Sequence, residues 1–355
     1  VDLDQLRAGI DDLDDQMLVL LNQRANLVKQ VGALKSKKSG APFYVPGREQ
    51  AILQRLDEKN DGPFDNEAIR RIFREIISAS LALEQPMKVV FLGPEATFTH
   101  SAALKQFGTS ARLLPARGIP QVFEEVECGR AFYGVVPIEN SNEGAVTHTL
   151  DRFVTSELKI VAETYLEISH DLLANSKELS QIKRIYSHPQ AIEQCRRWLD
   201  TNLQGIPLHE VSSTARAAQI AASETGAAAI ASRAASILYG LDVLAPRIED
   251  NHHNYTRFLV IGNDQPPRTG NDRTSILFTF QDQPGILARM LEPFRSRGLN
   301  LAKIESRPIK RKAWEYLFYL DIQGHIEEDP VREAVEELGG YTEMIKHMGS
   351  YPSAR

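Results

Sequence analysis

Arg24 stands where an aliphatic residue belongs. Counted in sevens from the start of the chain, Leu3, Ile10, Met17, Arg24 and Val31 share one position, and Leu6, Leu13, Leu20, Leu27 and Leu34 share the companion apolar one. That pattern predicts one long amphipathic helix packed against other helices. A lone cation in such a seam can fix register or snorkel to water, but Arg24 has company. Arg7 and Lys35 share a heptad position beside the seam, and Arg48 and Glu49 open the next helical stretch. Farther on, the stripe Ile69, Phe73, Ile76 and Ile77 continues into Ser80 and Glu84. Several helices thus aim cations and hydrogen-bonding groups inward, as a bundle pocket for a small anion requires. Permanent charges there suit the binding of such an anion.

The helices that hold these groups impose a constraint. At 1.5 Å per residue, Arg24 and Lys35 lie roughly 16 Å apart, and Arg7 roughly 25 Å from Arg24 in the other direction. Long side chains bring Arg24 and Lys35 onto one metabolite, but Arg7 of the same chain cannot join them. For Arg7 to serve the same pocket it must come from a second chain, its long helix antiparallel, which gives a two-fold dimer with equivalent pockets. The breaker GAPFYVPG (40–47) separates the first helix from a second running from about Arg48 to Glu58. NDGPFDN (60–66) then supplies Asp65 as the N-cap of a third helix to about Glu84, and Pro86 ends the helical segment.

From Met87 the texture changes. KVVFLG (88–93), RAFYGVVPIEN (130–140), KIVAETYLEIS (159–169) and IKRIYSH (182–188) read as strands, alternating with Ala-rich helical stretches such as TARAAQIAASETG (214–226). This predicts an α/β unit with parallel strands, whose ligands sit beyond the strand ends where helix N-termini offer free N–H groups. The breaker-rich DQPPRTGNDR (264–273) is placed as a linker. Beyond it TSILFTF (274–280), LNLAKIESRPI (299–309) and AWEYLFYLDIQG (313–324) read as strands, and PGILARMLEPFRSRG (284–298) and EEDPVREAVEELGGY (327–341) as helices. With a short final strand, the order is βαββαβ.

Length and composition suit two or three soluble domains: 355 residues, 42% hydrophobic and 25% charged. The net charge of −6 argues against nucleic acid as the main partner. Cys128 and Cys195 stand apart without CxxC spacing, which predicts free thiols in a reducing cytoplasm. The nine histidines include His252–His253 but make no HExxH or similar pattern, so no metal site is expected. Neither a signal peptide nor a bilayer-length apolar run is read in the sequence, so no membrane partner is expected.

RAGIDDLDDQMLVLLNQRANLVKQVGALK, with PGRE and ISASLALE after it, resembles the all-helical chorismate mutase domain, a domain-swapped dimer that rearranges chorismate to prephenate. By that resemblance Arg7 of the partner chain, Arg24, Lys35 and Arg48 hold the two carboxylates and the ether oxygen. Glu49 takes the ring hydroxyl, Ser80 is its hydrogen-bonding neighbour, and Val45 makes a main-chain contact. Glu84 departs from the family glutamine that donates to the ether oxygen. An ionised glutamate cannot donate, so mutase activity is expected to fall as pH rises through neutrality and Glu84→Gln to flatten the profile.

VVFLGPEATFTHSAA (89–103), YGVVPIENSNEGAV (133–146), YSHPQAIEQC (186–195), VSSTARAA (211–218) and NYTRFLVIG (254–262) resemble prephenate dehydratase in sequence and order. The resemblance implies two α/β lobes like those of periplasmic binding proteins, with a cleft between them. Its reaction is decarboxylation of prephenate with loss of the ring hydroxyl. Thr256 of the TRF motif is the implied catalytic group, by hydrogen bonding to the leaving hydroxyl. Thr97, Asn140, Ser141, His188, Gln190, Ser213, Thr214 and Arg257 are the implied substrate contacts. Glu139 is left open between a substrate-site and a structural carboxylate. Ala96 stands where the family has glycine in GPxGTF, at a cost if the position needs positive φ.

The last segment resembles an ACT domain, which binds amino acids at a dimer interface. PGILA (284–288) and ESRP (305–308) match its two phenylalanine-binding motifs, implicating Gly285, Ile286, Leu287, Asn300, Glu305, Ser306 and Arg307. The blocks are placed at 1–86, 87–266 and 272–355. Together they imply chorismate mutase and prephenate dehydratase activities in phenylalanine biosynthesis, with phenylalanine as inhibitor, no cofactor, and a homodimer at least. Rival readings are a dehydratase whose helical segment only dimerises, a ligand-sensing protein, and an enzyme that prefers arogenate.

Overall fold

The computed structural model describes residues 2–37, 44–280, 283–308 and 316–354. Part of the breaker GAPFYVPG and the beginning of the 313–324 stretch lie outside them. Contacts divide the chain into two compact units: Val1–Lys88 with Phe107–Arg112, and Val89–Gln106 with Leu113–Arg355.

The first unit is helical: α1 (Leu3–Lys37), α2 (Pro46–Lys59) and α3 (Asn66–Glu84). α2 begins at Pro46, two residues before the expected start, because proline lacks only an N–H that a first helical turn leaves unpaired anyway. Asp65 caps α3 as expected, accepting from Ala68 N at 2.6 Å. α1 meets α3 at Arg24, beside Ser80, and at Gly32, beside Glu84, on a partly covered helical stripe that also holds Val28 and Lys35. Most of the aliphatic heptad seam lies elsewhere on the helix. Leu6, Ile10, Leu13, Leu20, Leu27 and Leu34 are all more than half exposed. Ser78 Oγ donates to Phe107 O at 2.6 Å and Tyr44 packs on the Phe107 ring, so segment 107–112 belongs to this unit.

The second unit begins with a lobe of β1 (Lys88–Leu92), α4 (Phe98–Phe107), β2 (Arg112–Ala116), α5 (Ile119–Glu127), β3 (Tyr133–Asn140), β4 (Gly144–Ala145), α6 (Thr147–Thr155) and β5 (Lys159–Glu167). The chain crosses into a second lobe of β6 (Asp171–Ala174), β7 (Arg184–Ser187), α7 (Pro189–Gln194), α8 (Arg196–Asn202), β8 (Leu208–Glu210), α9 (Thr214–Ser223), β9 (Ala227–Ala231), α10 (Arg233–Tyr239) and β10 (Asp242–Ala245). It returns through β11 (Tyr255–Gly262), which enters the first sheet between β3 and β5 and runs antiparallel to both. The expected parallel sheets are therefore mixed: β2-β1-β3-β11-β5 with β4 on β3, and β10-β6-β9-β7-β8. The long return makes the difference, since a chain that leaves a sheet and comes back from its far end pairs antiparallel.

A third sheet follows, β13-β14-β12-β15, built from β12 (Asp272–Phe280), α11 (Ile286–Ser296), β13 (Leu301–Pro308), β14 (Tyr316–Gln323), α12 (Asp329–Gly339) and β15 (Met344–Pro352). The βαββαβ order is as read, but the final strand is nine residues long rather than short. Asp272 and Arg273, assigned to the linker, are buried strand residues. One face of this sheet packs on α11 and α12 through Ile276, Phe278, Phe318, Met290 and Val331. The other face puts Leu277, Tyr319, Met348 and Tyr351 into one core with Ile138, Phe153 and Ile160 of the first lobe. Gly349 makes that contact close: a Cβ there would stand 2.3 Å from Ile160 O.

Candidate functional site

In the helical unit Arg24 donates from its guanidinium to Ser80 Oγ, and Ser80 Oγ donates on to Ile76 O at 2.6 Å. Burial lowers the Arg24 pKa from its usual value. One helical turn past Val28, Gly32 leaves room for Glu84: a Cβ on it would be 3.0 Å from Glu84 Cγ. Glu84 Oε2 is buried and has no hydrogen-bond partner among the described residues. Glu49 is largely buried at the start of α2. Burial pushes its carboxyl up to about 7, against the opposing pull of Arg74 and a Tyr44 hydrogen bond. Val45 is the N-cap of α2, its carbonyl accepting from Arg48 N and Glu49 N. Lys35 lies on the same face of α1 as Arg24, and the Arg48 side chain is exposed. Arg7 is exposed near the other end of α1, paired only with Asp4 at 3.5 Å among the described residues.

In the two-lobed part, Thr256 on β11 faces Asn140 at the end of β3, and the two are Cα partners in register. Asn140 Nδ2 donates to Thr256 Oγ1 and to Asn254 Oδ1, both at 2.8 Å. Asn140 Oδ1 accepts from the Asn142 and Glu143 amides, so the side chain is locked. The chain continues from Asn254 Nδ2 to Gln194 Oε1 at 3.3 Å, and Gln194 bonds Glu143 and His170 at 3.0 and 2.9 Å. Gln194 belongs to the second lobe, so the network spans the lobes. His170 is buried, which lowers its pKa, and among the described residues its Nδ1 has no hydrogen-bond partner. Asn254 was readable from the sequence, since strand alternation puts it on the same face as Thr256. Gln194, Glu143 and His170 were not, because they come from loops and ends of distant elements.

The other expected contacts divide. Ser141 Oγ ties β3 to β11, accepting from Tyr255 N at 3.0 Å. Thr97 Oγ1 accepts from His100 N and donates to Pro94 O, closing the turn before α4. His188 and Ser213 cap α7 and α9 through Gln190 N and Arg216 N, with Thr214 buried beside the second cap. Arg257 is the correction. Adjacent strand residues point to opposite faces, so its guanidinium turns away from Thr256. It meets Glu163, Asp321 and Tyr351 Oη instead. Burial works against this charge, but Tyr351, Asp321 and Glu163 overcome it and raise its pKa well above the usual value. Ala96 has φ +62 with its methyl in the second lobe's alanine-rich core.

In the third sheet, Gly285, Ile286, Leu287 and Ser306 line a cavity of about 590 Å³ with Phe280, Tyr316 and Phe318. Asn300 lines a different cavity, of about 720 Å³, with Glu139, Arg273 and Lys303. Arg307 does not line the first cavity. It reaches the first lobe, donating to Thr147 O and Asp151 Oδ1 at 2.7 and 2.8 Å. Glu305 is partly buried on the same face as Arg307, with Tyr319 as its register partner. Among the described residues no cluster of His, Cys, Asp or Glu is placed to hold a metal, and no helix is long and apolar enough to cross a membrane.

Family models match in three consecutive blocks: chorismate mutase type II at 6–85, prephenate dehydratase at 89–266 and the ACT domain at 274–340. The bifunctional chorismate mutase/prephenate dehydratase of Aquifex aeolicus is 48% identical, covering 99% of this chain and 98% of its own. The Pseudomonas aeruginosa enzyme of the same description is 45% identical over 99% of each. The prephenate dehydratase of Arthrobacter aurescens, solved with L-Phe, is 38% identical with a TM-score of 0.70, covering 76% of this chain and 90% of its own. With three blocks in order and identity running end to end, the chain belongs to the bifunctional chorismate mutase/prephenate dehydratase family.

Proposed function

We propose that residues 1–86 form the mutase domain, 87–266 the dehydratase domain and 272–355 the regulatory domain of a cytoplasmic homodimer. Arg24, Lys35 and Arg48 hold chorismate's carboxylates and ether oxygen, Glu49 takes its ring hydroxyl, and Arg7 comes from the second copy. Ser80 fixes the Arg24 head group, Glu84 meets the ether oxygen, and Val45 lends its main chain. The exposed aliphatic seam of α1 supports the second copy, since several large apolar side chains in one stripe need a partner. The rearrangement needs no base or nucleophile; the cations select a compact dianion and stabilise charge on the breaking C–O bond.

Prephenate then lies against Thr256. The ring carboxylate leaves as carbon dioxide, its bonding electrons enter the ring, and the ring hydroxyl departs as aromaticity forms. The observation that carries this reading is the Asn140–Thr256 hydrogen bond. Asn140 donates to the threonine oxygen, and among the described residues no acceptor takes the threonine proton, which stays available to the leaving hydroxyl. Thr97, Ser141, His188, Gln190, Ser213 and Thr214 surround the substrate's polar groups, while Arg257 braces the strand behind Thr256. L-phenylalanine fills the cavity at Gly285, Ile286, Leu287 and Ser306 and inhibits the dehydratase; the Arthrobacter relative was solved with that amino acid.

The test gives the purified chain chorismate alone at neutral pH and follows prephenate and phenylpyruvate. Phenylpyruvate above the uncatalysed rate, suppressed by added phenylalanine, is the expected result. Prephenate accumulating unconverted would refute the Thr256 reading, and untouched chorismate would refute the Arg24 pocket.

A further inference from the structure

β13 is an edge strand with two different faces. Register pairing places Ser306 opposite Phe318, on the side of the 590 Å³ cavity that both line. The neighbouring positions point the other way, toward the first lobe. Lys303 and Arg307 are both there, and each is paired: Lys303 with Glu139 at 2.9 Å, Arg307 with Asp151 at 2.8 Å and Thr147 O at 2.7 Å. Lys303 is nearly buried, with 8% of its side chain exposed, and Arg307 is mostly covered at 17%.

The partners are placed tellingly. Glu139 immediately precedes Asn140, the residue bonded to Thr256. Thr147 and Asp151 belong to α6, which follows the turn that Asn140 Oδ1 closes through the Asn142 and Glu143 amides. The two contacts from β13 therefore bracket Asn140 on both sides in sequence. Among the described residues β13 is hydrogen-bonded to one neighbour, β14, so it has less to hold it than an inner strand.

We propose that Lys303 and Arg307 are the link by which occupancy of the Ser306 cavity is read at Asn140 and Thr256. This rests on the reading of that cavity as a phenylalanine site and names its output. A ligand wedged against Ser306 biases the position of β13. Because Ser306 and Arg307 share one backbone, the shift is carried to Glu139 and α6, and the Asn140 amide loses its alignment on the threonine oxygen. Lys303 and Arg307 touch no substrate; they relay the state of the cavity to Asn140. A coupling of this kind requires the liganded and free cavities to favour two different strand positions.

The test uses the full-length chain carrying Lys303→Gln and Asp151→Asn, which remove both ion pairs, leave Arg307 only its bond to Thr147 O, and do not alter the lining of the Ser306 cavity. Three quantities are read: dehydratase kcat/KM without effector, phenylalanine affinity by calorimetry, and the fold inhibition reached at saturating phenylalanine. The expected result is kcat/KM and affinity within about twofold of wild type, with the inhibition reached at saturating phenylalanine reduced about fivefold or more, inside the span usual for such couplings. Affinity lost in step with inhibition would overturn the proposal, because the pairs would then merely build the cavity. Inhibition unchanged with affinity intact would overturn it as well. Wild-type protein that binds no phenylalanine would overturn both the effector reading and the link built on it, which separates that failure from the first two.

Discussion

Replacing Glu49 by glutamine is expected to remove a pH dependence of the chorismate mutase KM centred near neutrality. The Glu49 carboxyl is pushed up to about 7 because burial penalises its charge more than Arg74 and the Tyr44 hydrogen bond favour it. It is mostly neutral at pH 6 and mostly ionised at pH 8. A charged acceptor on the substrate's ring hydroxyl contributes about 1 kcal/mol more than a neutral one, or roughly fivefold in binding. Wild-type KM is thus expected to fall about fivefold between pH 6 and 8, while Glu49→Gln holds the acid value throughout. Stability moves in the opposite direction. With the folded value above the ordinary 4.5, no penalty exists below pH 4.5. It grows as the unfolded chain ionises first, and is complete above about 7, at an order of about 3 kcal/mol. Glu49→Gln should therefore resist urea better than wild type at pH 8 and match it at pH 4, followed by helical circular dichroism. A KM inflection that survives in Glu49→Gln would refute the reasoning.

The remaining predictions concern the second unit. Asn140→Ala should lower dehydratase kcat roughly 10- to 100-fold by freeing Thr256, with mutase activity unchanged in the same preparation. Asp321→Ala strips Arg257 of a buried partner and should destabilise the unit by about 3–5 kcal/mol in denaturant titration, with part recovered when Arg257 is also made methionine. His347, held down to about 4 by burial and by nearby Lys159 and His325, stays neutral while the unfolded chain protonates. Stability should therefore be lost as pH falls from 6.5 toward 4, by about 3 kcal/mol, and His347→Gln should lack that loss. Gly349→Ala forces a methyl onto Ile160 O at φ +149 and should cost about 3 kcal/mol or more, measured by the same titration.

Local signals in the sequence reached far in some places and stopped short in others. The heptads gave the length of α1 and Asp65 its cap, because both are written within a few turns of chain. The heptads did not say which stripe of α1 meets α3: the one with Arg24, Val28, Gly32 and Lys35 is partly covered, while most of the more apolar seam stays open. Hydrophobicity identifies a face that must be buried, but not whether the same chain buries it. The direction of β11 was equally illegible, for it depends on where a chain returns after a whole lobe, and no residue encodes that locally. Arg257 is a different kind of miss. Alternation alone forbids Thr256 and Arg257 from facing one ligand, so the motif overrode a rule the sequence already supplied.

Ala96 shows how a departure from a motif is absorbed. Its φ of +62 is the backbone that glycine adopts freely and alanine resists by about 1–2 kcal/mol. The methyl, however, is 2% exposed and packed with Leu173, Ala229 and Ala231 of the second lobe. One buried methyl contributes about 0.8 kcal/mol, and alanine also has less backbone freedom to lose on folding than glycine. These gains are of the same size as the strain, so the backbone keeps the left-handed turn that glycine would give. Ala96 O accepts from Ser232 Oγ at 3.0 Å across the lobes, and Ala96 N donates to His100 Nδ1 at 3.0 Å. Both bonds form from the backbone in this positive-φ conformation. The turn before α4 is therefore held by its contacts and by the core of the opposite lobe, and the motif's glycine is one solution to a backbone requirement that alanine also meets here.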